Sequence, residues 1–156
     1  MRRDNRSISI LIADDNHEDC RLLEQAFRET GKGYSLAFVQ DGVELFQYLH
    51  QQGRFSGPAS SQRPTLILLE LDLPRKDGRL ALAEIKAEAG LRSIPLVVLT
   101  HSCNEYDILR TYELGGAGFI VKPDNLADMI EVVKALNQYW FEVVELTSGE
   151  GMNVDR

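Results

Sequence analysis

Cysteine is scarce in this chain: two residues in 156, Cys20 and Cys103, far apart and in no C-x-x-C pair. That excludes a disulfide framework and a thiolate metal cluster, and it fits a reduced, cytoplasmic chain in which both thiols are structural. Basic charge is short as well, with 17 Lys and Arg against 24 Asp and Glu and a net charge of −7. Nucleic acid and anionic membrane surfaces are therefore not expected partners, and Arg2, Arg3 and Arg6 read as part of a solvated arm. No apolar run approaches the ~20 residues that cross a bilayer. The first one, Ile10 to Ala13, runs straight into acid, so neither a membrane span nor a signal peptide is expected.

What is present is enough for one core: 44% hydrophobic residues, a length suited to a single domain, and no internal repeat. Leu66-Ile67-Leu68-Leu69 is an uninterrupted apolar run, as in a strand buried on both faces of a parallel sheet. Glu70, Leu71 and Asp72 follow, then Pro74, which cannot continue a central strand, and Asp77-Gly78, which supplies turn chemistry.

The same sequence of strand, acid or polar group, and helix recurs along the chain. Ile8 to Ala13 is a strand candidate ending in Asp14-Asp15-Asn16, followed by an amphipathic helix from about residue 17 to residue 30. Tyr34 to Val39 leads through Asp41-Gly42 to a second helix with Val43, Leu45, Phe46 and Leu49 on its apolar face. Residues 53 to 64, rich in Gly, Ser, Pro and Gln, are expected to form a long surface loop.

After the Leu66 strand comes a helix from about Arg79 to Ala89, with Leu80, Leu82, Ala83 and Ile85 as apolar members. Pro95 to Leu99 is a fourth strand ending at Thr100, and Glu105 to Leu114 a weakly anchored helix suited to movement. Gly118 to Val121 leads to Lys122-Pro123, and a final long helix is expected from about Asp124 to about Leu146. Val132, Tyr139, Val143 and Leu146 lie off its core-facing stripe and suit a homodimer interface through helix 4, strand 5 and helix 5. Residues 1 to 7 are expected to be a disordered arm, residues 8 to 146 one domain, and residues 147 to 156 a flexible tail.

Five such steps imply an α/β, doubly wound parallel sheet with right-handed crossovers, which brings every strand's carboxyl end to one edge. Asp14, Asp15, Glu70, Asp72, Thr100 and Lys122 then gather there. Singly, each has a plain reading: Asp15 or Asn16 a helix cap, Thr100 a strand end, Lys122 a solvated charge. Jointly they describe a phosphoryl-transfer site. Clustered carboxylates need a compensating cation, for which Mg²⁺ is suited, and Thr100 and Lys122 would each take a phosphoryl oxygen.

With these residues in hand, the chain resembles the receiver domain of two-component response regulators, over roughly residues 8 to 146. The motifs are Asp14-Asp15, the strand ending in L-x-L-P-x-x-D-G, Thr100, and Lys122-Pro123. The resemblance implies a flavodoxin-like five-stranded sheet of order 2-1-3-4-5 with five helices, the last one extended. It implies a Mg²⁺ site from Asp14, Asp15, the acceptor residue and the backbone carbonyl of Asp72. It also implies a switch pair, Thr100 and Phe119, a cis Lys122–Pro123 peptide, and a histidine kinase as partner. The loop and the ending Tyr139-Trp140-Phe141 look most like the small stand-alone regulators paired with bacterial phytochrome histidine kinases.

The departure is central. The family's acceptor is an aspartate, and here that position is Glu70. One more methylene displaces the carboxylate by on the order of 1 Å, and a misplacement of that size can cost roughly 10²-fold in rate. Glu70 can accept phosphate poorly, can mimic the phosphorylated state, or can leave an interaction module that works without phosphorylation. The chain is expected to be a signalling module and not an enzyme. A small Mg²⁺-dependent phosphohydrolase of the haloacid dehalogenase type is disfavoured because no cap sequence would enclose a substrate. A flavodoxin-like binding module is disfavoured because acids stand where a phosphate-cradling loop is needed.

Overall fold

The computed structural model describes residues 8–30, 33–57 and 62–143. Residues 1 to 7, the tail from residue 147, and Leu146 lie outside them. Five strands alternate with five helices: β1 Ile8–Ala13, α1 His17–Glu29, β2 Tyr34–Val39, α2 Gly42–Leu49, β3 Leu66–Leu69, α3 Gly78–Ala87, β4 Leu96–Thr100, α4 Glu105–Glu113, β5 Gly118–Val121 and α5 Leu126–Leu136. All strand pairs are parallel, in the order β2-β1-β3-β4-β5. This is the doubly wound sheet that the alternation of apolar runs and amphipathic segments predicts.

Strand period decides which layer each side chain joins. Ile10, Ile12, Leu66, Leu68, Val97 and Leu99 pack with Leu23 and Phe27 of α1 and Met129 and Val133 of α5. Leu11, Ala13, Ile67, Leu69, Leu96 and Val98 pack on the other face with Leu45 and Tyr48 of α2 and Leu82 and Ile85 of α3. A side chain such as Leu68, 1% exposed, contributes about 1.5–3 kcal/mol by leaving water.

Each helix starts with a side chain that accepts from a free amide of the first turn: Asn16 for α1, Asp41 for α2, Asp77 for α3, Asn104 for α4 and Asn125 for α5. Asn16 is thus a cap, as one of its plain readings holds.

Three expectations change. Leu80 belongs to the solvent face of α3, 58% exposed, and Ala81 takes the buried position instead. The loop after α2 is not wholly superficial, because a 3₁₀ turn at Gly53–Phe55 buries Phe55 against Tyr48, ring centroids 5.0 Å apart. The last helix is α-helical only to Leu136 and continues as wider π turns over Asn137–Val143. There the Asn137 side chain accepts the Tyr34 hydroxyl of β2.

The strands also place the edge. The ladder runs one residue past β1, β3 and β5: Asp14 N donates to Val39 O at 3.0 Å, Glu70 N to Ala13 O at 3.0 Å and Lys122 N to Thr100 O at 2.7 Å. The backbones of these residues are held by the sheet itself, so their side chains project from fixed points.

Candidate functional site

Lys122 is the hub. Its side chain is 1% exposed, and its Nζ donates to Asp14 Oδ2, Asp19 Oδ2 and Glu70 Oε1, all at 2.7 Å. Burial alone would lower the lysine's pKa, and the three carboxylates outweigh it and hold the ammonium charged.

Glu70, 6% exposed, is bound at both oxygens. Oε1 takes Lys122, while Oε2 accepts the Thr100 hydroxyl and the Asp72 amide, the latter at 3.0 Å. Burial pushes this carboxyl up, but the bonds from Asp72, Lys122 and Thr100 together bring it below its ordinary value. For Asp14 the balance goes the other way: burial raises its carboxyl beyond what Lys122 and the Asn16 amide recover.

Close backbone packing is required under this pocket. A Cβ on Gly78 would meet the Glu70 carbonyl oxygen at 2.3 Å and Leu71 Cα at 2.7 Å. Glycine at the start of α3 therefore lets that helix seat against the loop that carries Glu70.

Asp14, Glu70, Thr100 and Lys122 thus meet at the expected edge; Asp72 reaches them through its backbone amide, and the Asp15 side chain makes none of these contacts. Asp15 is exposed, and the Asp72 side chain turns to Arg79 at 3.1 Å. Phe119 is half-buried on β5, packed at the margin of the core on the α2 and α3 face. The Lys122–Pro123 peptide is trans, correcting the cis expectation. A prolyl bond intrinsically favours trans by about 0.5–1 kcal/mol, and Lys122 reaches all three carboxylates in that isomer.

The donor types at this edge suit Mg²⁺, and Lys122 competes with such an ion for the carboxylate oxygens. Among the described residues no three Asp, Glu, His or Cys side chains are grouped to hold a metal ion. Both oxygens of Asp14 and both of Glu70 already accept hydrogen bonds, and Lys122 supplies the positive charge.

Asp19 is the residue that sequence reasoning missed. It caps nothing and is buried, bridging Lys122 to His101, whose Nε2 lies 3.2 Å from Asp19 Oδ2. A signal existed: Asp19, Leu23, Ala26 and Phe27 share the buried face of α1 at helical spacing. Cys20, next to it, is half-buried with its thiol pushed up to about 12, burial being the main cause, which suits a structural role.

Residues 10–134 match the response regulator receiver domain family. The chain belongs to that family. As a receiver it is 40% identical over 137 residues to the response regulator Rcp1 of Synechocystis sp., covering 88% of this chain and 91% of Rcp1. The solved Mn²⁺-bound form of Rcp1 superimposes with a TM-score of 0.82 at 39% identity, over 90% of this chain and 99% of that one. The phosphorylated cyanobacterial phytochrome response regulator RcpA gives 0.84 at 38% identity, over 92% and 100%. No helix among the described residues of the receiver is long and apolar enough to cross a membrane.

Proposed function

We propose that this receiver serves a cytoplasmic histidine-kinase relay of the phytochrome type, and that Glu70 impairs its phosphorylation, so that its signal passes through binding. The observation that carries the reading is the double engagement of Glu70. Its two oxygens already take Lys122 and Thr100, the groups that would otherwise bind an incoming phosphoryl group. A carboxylate so held is a poor nucleophile, because attack requires it to give up hydrogen bonds that also hold its charge. The likeness to Rcp1 and RcpA supports the phytochrome-type partner.

Within this reading Glu70 holds Thr100 in one packing whether or not a kinase is active. It remains an incomplete mimic of the phosphorylated state, having fewer acceptor oxygens and less charge than a phosphoryl group. Mg²⁺ binding, implied through Asp14, Asp15 and the Asp72 carbonyl, would have to compete with Lys122, so we expect it to be weak. Incubation with acetyl phosphate and Mg²⁺, read by intact mass, tests the proposal: a Glu70→Asp variant labels far faster than the parent. Equal labelling overturns it. Turnover of an aryl phosphate, which would revive the phosphohydrolase reading, is expected to be absent.

Binding output needs a surface, and Tyr106, Leu109, Tyr112, Val121 and Tyr139 are large apolar or aromatic side chains left about half or more exposed on α4, β5 and the turns after α5. They support the homodimer through that face. Val132 is half-buried against the core and would contribute less than the spacing suggested, and Leu146 lies outside the described residues. Sedimentation at micromolar concentration should give twice the 17.6 kDa chain mass; a monomer would remove the dimer from the proposal.

A further inference from the structure

α4 is attached in an unusual way. Its buried residues are Asp107 and Thr111, while Tyr106, Leu109 and Tyr112 face solvent, so no large apolar side chain anchors it fully. A cavity of about 240 Å³ separates it from α3, lined in part by Leu71, Leu82, Tyr106 and Leu114. What crosses this gap is ionic. Arg79 of α3 donates Nε to Asp107 Oδ1 at 2.9 Å and Nη2 to Asp107 Oδ2 at 2.8 Å, a bidentate pair of the strong, orientation-specific kind. Its Nη1 also reaches Asp72 Oδ1 and Asp77 Oδ1, each at 3.1 Å.

These bonds close a ring through the pocket. From Glu70 it runs to the Thr100 hydroxyl, then to Ser102, whose amide lies 3.4 Å from Thr100 Oγ1 and whose hydroxyl lies 3.3 Å from Asp107 Oδ2. From Asp107 it passes through Arg79 to Asp72, and the Asp72 amide returns to Glu70 at 3.0 Å. The β4–α4 segment is therefore tied at one end to the residue in the acceptor position and at the other to a single guanidinium.

We propose that Arg79 is the positioning residue that couples the Glu70–Thr100 pocket to α4, clamping the first turn of that helix through Asp107 while the pocket is intact. This deepens the regulation of the site and rests on the reading that residue 70 sets the state of the receiver. An Arg79 that merely stabilised the fold would act independently of the pocket. A coupling residue makes the two perturbations non-additive.

The experiment is a double-mutant cycle read by amide hydrogen exchange at Asp107 and Ile108, in the parent, Thr100→Val, Arg79→Gln and the double variant. In the parent background Thr100→Val should raise exchange there about tenfold, the order expected for losing a link to a charged hydrogen-bond network. In the Arg79→Gln background exchange starts raised, and Thr100→Val should add less than about twofold. Arg79→Lys, which keeps the charge but not the fork, should behave like Arg79→Gln. Glu70→Gln provides a second pocket perturbation should Thr100→Val fail to fold. A tenfold rise that persists without Arg79, or an Arg79→Gln chain that exchanges like the parent, overturns the proposal. Because no phosphoryl group is involved, the cycle decides the coupling whatever the outcome of labelling Glu70→Asp.

Discussion

Lys122→Met tests whether one buried ammonium holds the pocket together. The substitution keeps an unbranched side chain of similar length and leaves Asp14, Asp19 and Glu70 without their shared cation. Each contact at 2.7 Å is worth about 6 kcal/mol at an effective dielectric of ~20, and all three are lost while the mutual repulsion stays. The cheapest relief is protonation of a carboxyl, at about 1.4 kcal/mol per pH unit. Starting from an ordinary aspartate value of 3.8 this is about 4 kcal/mol at pH 7, within the range seen when a buried pair is broken.

The sign of the pH dependence follows. In the variant the folded-state carboxyl values rise above those of the unfolded chain. Stability is then greatest below the unfolded value and is lost as pH rises through the raised one. Urea unfolding at about pH 7 and about pH 4.5 should show the deficit of Lys122→Met shrinking from about 4 to about 1 kcal/mol. A deficit under about 1 kcal/mol at neutral pH, or one that does not depend on pH, would refute the idea that Lys122 neutralises a buried acid cluster.

Other expectations are simpler. Thr100→Val keeps the shape but removes the hydroxyl that Glu70 Oε2 accepts, and should destabilise by about 1–2 kcal/mol in urea titrations. Glu70 has a folded-state value below its ordinary 4.5, so its contribution is complete above about pH 4.5 and lost as pH falls through the folded value. Glu70→Gln should therefore flatten the acid limb of the stability curve, and an unchanged limb would contradict the assignment. Gly78→Ala forces a Cβ onto the Glu70 carbonyl and should cost about 1–3 kcal/mol or more, measured by thermal unfolding. Asp19→Asn removes one of three acids on one lysine and should change stability by less than about 1 kcal/mol, while altering the environment of His101, which a change in that ring's proton chemical shifts at fixed pH detects.

The fold was legible because apolar periodicity and acid at strand ends point the same way. Leu66 to Leu69 read as a central strand, which it is, and the placing of Glu70 beyond it followed. Four of the pocket residues, Asp14, Glu70, Thr100 and Lys122, were readable because each directly follows or ends a strand, so topology alone brings them together. Asp19, Arg79 and Asp107 were not readable by that route. They lie on helices, where a charged residue is ordinarily solvated, and only three-dimensional packing turned them inward. The direction of the Asp15 side chain was not readable either, because its position in the motif carries no statement about which way the chain turns at the start of α1; it is exposed. Leu80 failed on helical phase, since α3 turns Ala81 inward and a leucine to solvent.

Glu70 is held by Lys122 and Thr100 rather than free to attack. The most direct measurement is the time course of phosphorylation by acetyl phosphate with Mg²⁺ for the parent and Glu70→Asp, followed by intact mass. A displaced and doubly engaged carboxylate predicts that the parent labels at least about 10²-fold more slowly than the variant. Equal rates would mean that the additional methylene does not impair the site, and would contradict the account.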